Sequence, residues 1–530
     1  MGSEPVDQGS AHDHGSWSRR RFLAGSGVVA GSVALGLGGC SDGSDGGGPT
    51  STTAASAGGA GASTTTGVPD PTTGIVDAAV PGTDTIFGWI EEVFGHGVRR
   101  PGYPADRWAE GWIEERFRQI GLEEVRAEEV DARRWEPTSW SLTVTSASGT
   151  RELEGFPVPF AAPTEAIELE LAELPAEGPA DVAGRAALVD VPLITIPAAF
   201  LATTGSAPDD PAGRVFDPDG TFDGGTHTVP FGTDFQAVMD PAIDGGAAAF
   251  LGTLTDYPGD SHRYFVPYDG LDREIPGLWL SGSDGAWLRE ELARGPVTVR
   301  IEVVAETEDI TTVNVVGELP GATDEVVMVG SHHDGPWSSA VEDASGISLV
   351  LAQATYWAAQ PAERRPHRLV FVLQGGHMSG GAGLRGYIAA HADELADVVL
   401  EVHLEHAALE CEVVDGQAVP TDRATPRWFF TSRIPSLEAA VGEAIEGEEL
   451  WRSLILAPDA FGASPHRRLG LPPGRGARGQ RAGCTLLPVR RDGHPRQDRP
   501  GPPRAPHPGH DPHHRSVRAE TAAGLRAKVV

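Results

Sequence analysis

The chain has 530 residues, long for one domain and sufficient for two or three. Hydrophobic residues make up 40% and charged residues 22%, so most of the chain can bury a core and wholesale disorder is excluded. A net charge of −34, from 75 acids against 41 bases, repels phosphate backbones and argues against a nucleic-acid partner, and three cysteines (Cys40, Cys411, Cys484) are too few for a disulfide scaffold or a thiolate zinc finger.

At the N-terminus, Ser18-Arg19-Arg20-Arg21-Phe22-Leu23 precedes the uncharged stretch Ala24 to Gly39. That stretch is too short and too rich in glycine for a membrane-spanning helix. Twin arginines before a mild hydrophobic segment resemble a Tat export signal, and Leu37-Gly38-Gly39-Cys40 resembles a lipobox. A chance arginine cluster before a buried helix is the alternative, and the order of the three features weighs against it. The sequence thus predicts a Tat signal with lipobox over 1–40 and lipidation at Cys40. The protein would then sit on the outer face of the cytoplasmic membrane, held there by its lipid anchor only. Residues 41–73, rich in Gly, Ser, Thr and Ala, predict a flexible tether.

Three folded segments follow. Within 74–150, Ala105 to Ile120 places Trp108, Trp112, Ile113, Phe117 and Ile120 at helical spacing. Gly121 stops that helix, and Leu122 to Val125 restarts as a strand. From 165 to 304 the texture is short β-like runs, such as Ala186–Val191 and Val297–Val304, between Gly/Pro/Asp turns. This segment resembles a protease-associated domain, a small β-rich lid.

The segment 305–465 carries the chemistry. Strands are predicted at Glu325–Gly330, Arg368–Leu373 and Val398–Leu404, with helices at Ala344–Ala359 and Gly383–Leu395. The alternation reads as an α/β fold, a mostly parallel sheet covered by helices on both faces. In such sheets ligands bind beyond the C-terminal strand ends. Those ends carry Ser331-His332-His333-Asp334, Gly375-Gly376-His377-Met378 and His403-Leu404-Glu405-His406. One histidine alone would more often be structural. Three successive strand ends bearing imidazoles and carboxylates point to a metal site.

Asn314 to Gly321, Gly330 to Asp334 and Glu342-Asp-Ala-Ser-Gly346 resemble the zinc-dependent metallopeptidases that include bacterial leucyl aminopeptidases, aminopeptidase Y and glutaminyl cyclases. The similarity runs from about Ile75 to Gly462, with a protease-associated domain inserted. It implies an exported hydrolase of peptide or small amide substrates that uses one or two zinc ions. It makes His332 a zinc ligand, Asp334 the carboxylate supporting it, Glu342 a metal-bridging ligand and Glu405 a ligand of the second metal. The family has Asp where this chain has Glu342 and Glu405, and its Glu-Glu pair after the second strand is His377-Met378 here. His377 would then act as catalytic base or as a further metal ligand, whereas Met378 is expected to pack. Two other functions remain open at this point. One is a non-catalytic binding lipoprotein on a peptidase fold, and the other is cyclase-like amide chemistry on a single zinc.

From His466 to Arg518 there are twelve arginines and six histidines against three acids, with prolines and glycines throughout. No periodicity is present, and the sequence predicts a disordered tail over 466–530. GC-rich codons for this stretch can be chosen so that the +1 frame spells a strand-like and acidic-helical peptide similar to the family's C-terminal region. A frameshift near Ser464 is therefore expected.

Overall fold

Alternating apolar residues decide which faces of the sheet are covered, and the computed structural model shows how. It describes residues 75–176, 181–197, 215–221, 226–232, 237–255, 257–414, 417–432, 434–456 and 482–488. The expected signal, Cys40 and the tether lie outside the described residues.

The chain begins with helices α1 (Thr83–Gly95) and α2 (Pro104–Ile120), then strands β1 (Glu123–Ser146), β2 (Gly149–Leu153) and β3 (Phe156–Pro157). Pro104 opens α2, where its missing N–H is not needed, and Gly121 closes it at φ 95, a left-handed cap that favours glycine. The middle of the chain supplies β4 (Thr164–Glu173), β5 (Ala186–Asp190), β6 (Leu193–Pro197), β7 (Val215–Phe216), β8 (Thr226–Gly232), β9 (Ala249–Leu254), β10 (Gly277–Ser281) and helix α3 (Gly282–Arg294). The C-terminal half holds β11 (Thr298–Leu319), β12 (Val326–His332), α4 (Ser345–Ala358), β13 (Arg368–Gln374), α5 (Ala382–Ala390) and β14 (Val398–Leu404). It continues with β15 (Leu409–Val414), β16 (Gln417–Ala424), β17 (Arg427–Thr431), α6 (Pro435–Gly447), β18 (Ser453–Leu456) and β19 (Ala482–Pro488).

One mixed sheet runs β3-β10-β9-β5-β4-β11-β13-β12-β14-β19-β17-β18-β7. Its centre is parallel, with β12 paired to β13 on one side and β14 on the other. Leu369, Phe371 and Leu373 of β13 and Val315 and Leu319 of β11 face α1, α2 and α4 through Ile86, Ile90, Ile113, Phe117 and Ile347. The alternate residues Val370, Val372, Val316 and Met328 face Leu384 and Tyr387 of α5. The period of two thus buries both faces, and each such side chain contributes roughly 1.5–3 kcal/mol. The three strands read from sequence are present, with β12 running two residues further, to His332. Helix α5 is shorter than expected and ends at Ala390, with Leu395 in a separate turn.

The largest departure is the pair β1 and β11. A strand restart of a few residues was expected after Gly121, yet β1 reaches Ser146 and pairs antiparallel with β11 from Arg126↔Val316 to Thr145↔Thr298. The expected boundary between 304 and 305 falls inside β11, so one continuous strand serves both the inserted segment and the central sheet. In that inserted segment β5, β9 and β10 are parallel, and α3 packs on them through Leu288 among Leu188, Leu251 and Leu280.

A second correction concerns the tail. Ala482–Pro488 is not disordered but forms β19, parallel to β14 and antiparallel to β17. It is an uncharged run within the basic segment, and its backbone fills a slot whose neighbours would otherwise present unpaired N–H and C=O groups.

Candidate metal centre

Strand β12 ends at His332, at the C-terminal edge of the sheet between β13 and β14. The ring is buried, and its Nδ1 lies 2.9 Å from the Asp334 carbonyl oxygen, to which it donates. In the neutral imidazole Nε2 is then the unprotonated nitrogen, and it is buried with no hydrogen-bond partner. It faces three carboxylates: Glu342 Oε1 at 3.4 Å, Asp343 Oδ2 at 3.9 Å and Glu405 Oε1 at 4.0 Å. Ligands about 2.1 Å from a tetrahedral zinc stand about 3.4 Å from one another, so the spacing suits N/O ligands around one cation. His332, Glu342 and His377 place ligand atoms within 4.8 Å of one another. The residues present fit a divalent cation.

The electrostatics agree. Burial opposes charge on His332, yet the neighbouring carboxylates of Glu342, Asp343 and Glu405 push its imidazole up to about 10 while no cation is bound. Burial likewise opposes ionisation of Glu342, but His406 and His332 beside it hold its carboxyl well below the usual range. Burial pushes Asp343 up to about 6. A concentration of negative charge in the interior is stable only if protons or a cation offset it.

The expected site residues are brought together, with one change of role. His377 lies half-buried, its ring stacked on His332 at 3.9 Å between centroids and on Tyr268 at 5.8 Å. Asp334 does not support His332 through its carboxylate, which is 3.9 Å from Nδ1. Its two oxygens accept the His377 N–H at 3.0 Å and the Met378 N–H at 2.7 Å, so it fixes the turn that presents His377. Met378 packs in the core cluster that includes Trp135, Phe265 and Tyr268.

Three nearby residues were not assigned from sequence. Asp343 accepts from Ser331 Oγ, from Gly346 N–H at 3.0 Å and from His406 N–H at 3.3 Å. The bond to Gly346, three residues on at the start of α4, is a capping contact whose spacing was visible in the sequence. His333 is closed on both sides, with Nδ1 3.0 Å from Asp106 Oδ1 and Nε2 2.9 Å from the Val313 carbonyl. The group Asp106, Glu110 and His333 has ligand-like spacing, but His333 has no nitrogen left to offer. Arg99, fully buried, donates from Nε to the His333 carbonyl at 3.0 Å and from Nη2 to the Ser339 carbonyl at 2.9 Å. No sequence signal ties it to that loop.

Residues 314–436 match peptidase family M28. An M28 peptidase precursor from Shewanella amazonensis superposes with a TM-score of 0.59 at 16% identity, over 84% of this chain and 92% of that one. A zinc aminopeptidase from Bacillus subtilis superposes with a TM-score of 0.52 at 15% identity, over 85% and 95%. Leucine aminopeptidase 2 of Arthroderma otae is 42% identical over 67 residues, which span 12% of this chain and only 14% of that relative. The stretch that matches peptidase family M28 holds β12, α4, β13, α5 and β14, with His332, Glu342, His377 and Glu405 on or beside them.

Proposed function

We propose that the chain is an exported, zinc-dependent hydrolase of the aminopeptidase type, acting on peptide or amide bonds. The observation that carries this reading is the buried, unpartnered Nε2 of His332 amid Glu342, Asp343 and Glu405. His332, Glu342 and Glu405 would hold zinc, with His377 within reach. A cation bound there would polarise a substrate carbonyl and ready a water for attack at neutral pH. The chain's own groups do the rest. Asp334 orients the turn of His377 through two backbone N–H groups, and Tyr268 stacks against that ring. His377, half-exposed and beside His332, is placed to accept a proton as general base.

Metal content and turnover test the reading together. Purified protein is expected to carry zinc and to cleave members of a panel of aminoacyl and N-terminal glutaminyl amides, and His332→Ala to lose both. Wild-type protein with less than about a tenth of an equivalent of metal would rule it out. One observation favours a second reading, a binding protein on the peptidase fold. Met378 is buried in the core and offers neither base nor hard ligand. Metal retention without turnover across the panel selects that reading.

The export proposal rests on the order of Arg19-Arg20-Arg21, the apolar stretch and Cys40. Among the described residues no helix is long and apolar enough to cross a membrane. If acylated Cys40 is the anchor, Cys40→Ala protein is released into the medium; a variant that stays in the membrane fraction refutes the anchor.

A further inference from the structure

Two further histidines lie beside the carboxylates of the centre. His403, on β14, is buried and brings Nε2 to 2.6 Å from Glu405 Oε1. Its Nδ1 is buried without a hydrogen-bond partner. The arrangement that strands no buried N–H puts the ring proton on Nε2, so His403 donates to Glu405. His406 brings Nε2 to 2.5 Å from Glu342 Oε2, an ion-pair contact without hydrogen-bond alignment, while Oε1 stays 3.4 Å from the His332 ring. The backbone enforces that placement. His406 sits at φ 54, in the left-handed region, with its N–H on Asp343 Oδ1 at 3.3 Å, and the next N–H, of Ala407, donates to Ser345 Oγ at 2.9 Å. A non-glycine residue held there is over-determined by its surroundings.

Among the described residues, Glu405 is thus hydrogen-bonded by one imidazole and Glu342 is in ion-pair contact with another. Asp343 has its oxygens engaged by three donors, and His333 of the neighbouring group Asp106, Glu110 and His333 has no free nitrogen. We infer that the centre takes one divalent cation, and that His403 and His406 are positioning residues that aim Glu405 and Glu342 at it. Histidine–carboxylate pairs of this kind raise the order of the ligand set, and removing an outer partner typically weakens metal affinity about 10–100-fold. The inference rests on the cation site proposed above and adds its stoichiometry and its two outer partners.

The test is a titration of chelator-treated full-length chain with Zn²⁺, and with Co²⁺ read by its visible absorption. Wild type is expected to bind one equivalent. His403→Ala and His406→Ala are each expected to weaken binding about 10–100-fold at unchanged stoichiometry and to shift the cobalt bands. His403→Gln and His406→Gln keep an N–H donor and should recover most of the affinity. Melting temperatures of the four variants guard against misfolding, and if an alanine variant unfolds its Gln counterpart and the cobalt spectrum decide. A second equivalent in wild type that vanishes in His406→Ala makes His406 a ligand and overturns the inference. Unchanged affinity in both alanine variants makes the histidines bystanders and also overturns it. His332→Ala separates the two claims. If it abolishes binding while the outer variants bind normally, the cation site stands and only this inference falls. Wild type that binds no metal ends both.

Discussion

A guanidinium sealed from water must find every partner inside the protein, and Arg99 does so on the loop between His333 and Ser339. Besides the bonds to the His333 and Ser339 carbonyls, Nη1 donates to Ser338 O, its backbone N–H donates to Trp337 O at 3.1 Å, and Gly335 N–H donates to its carbonyl at 2.8 Å. Burial lowers its pKa to about 10 while Asp343, Asp106, Asp334 and Glu342 pull the other way, so it is charged at neutral pH. Arg99→Met leaves buried carbonyls unpaired and is expected to destabilise the fold by about 3 kcal/mol. Arg99→Lys keeps the charge without the fork and should fall between. Urea unfolding measures both, and a loss under about 1 kcal/mol for the Met variant would show that the clasp is dispensable. The placing of His332, His377 and Glu405 at or just beyond strand ends was legible in the sequence, whereas Glu342 was pointed to only by the family resemblance. Arg99, the closure of His333 and the retargeting of Asp334 were not legible. Each is a choice of polar partner, made across as many as 240 positions by the packed chain.

Among the elements, β12, β13 and β14 announced themselves as continuous apolar runs because helices cover both of their faces. Phe371, at the centre of β13, is fully buried. Phe371→Ala is expected to cost about 3–5 kcal/mol, read as a lower denaturation midpoint at unchanged slope. A cost under about 1 kcal/mol would mean that the cluster around it closes the cavity. The long strands β1 and β11 were hidden for the opposite reason. Over their middle stretch, Arg133, Arg134 and Glu136 pair with Asp309, Glu308 and Glu306, so charge obscures the alternation that Val130 and Ala132 begin, and buried Trp135 falls out of phase with it. Strand β19 was hidden by its neighbours, since its short apolar run is set among arginines and prolines that read as unfolded.

At the scale of the whole molecule, acid sensitivity and connectivity meet at α3. The Glu291 carboxylate accepts from Ser146 Oγ at 2.6 Å and Ser148 Oγ at 2.9 Å, tying α3 to the turn between β1 and β2. Those hydroxyls, with burial opposing and Arg294 assisting, lower its pKa. A carboxyl lowered on folding adds stability above its unfolded pKa, and that stability fades as pH falls through the folded value. Glu291→Gln is therefore expected to melt below wild type at pH 7, with the gap closing below about pH 4. A gap independent of pH would show that packing, and not charge, holds that turn. The paired strands beneath it have a different consequence. The inserted segment leaves the central sheet along β1 and returns along β11, where Pro137 and Ala305 face each other across the ladder. Its two connections are neighbours, so the segment is an exchangeable cassette, and an Asn-Gly turn across the Arg134–Glu308 pair would close the ribbon without it. What anchors the cassette beyond that stem is distant in sequence. Strand β7 pairs with β18, and Arg452 Nε donates to Thr221 Oγ1 at 3.0 Å, so excision would bare the opposite border of the sheet. An exchange of this segment between relatives therefore has to carry a border strand with it, and compatibility at β18 decides which replacements the scaffold accepts.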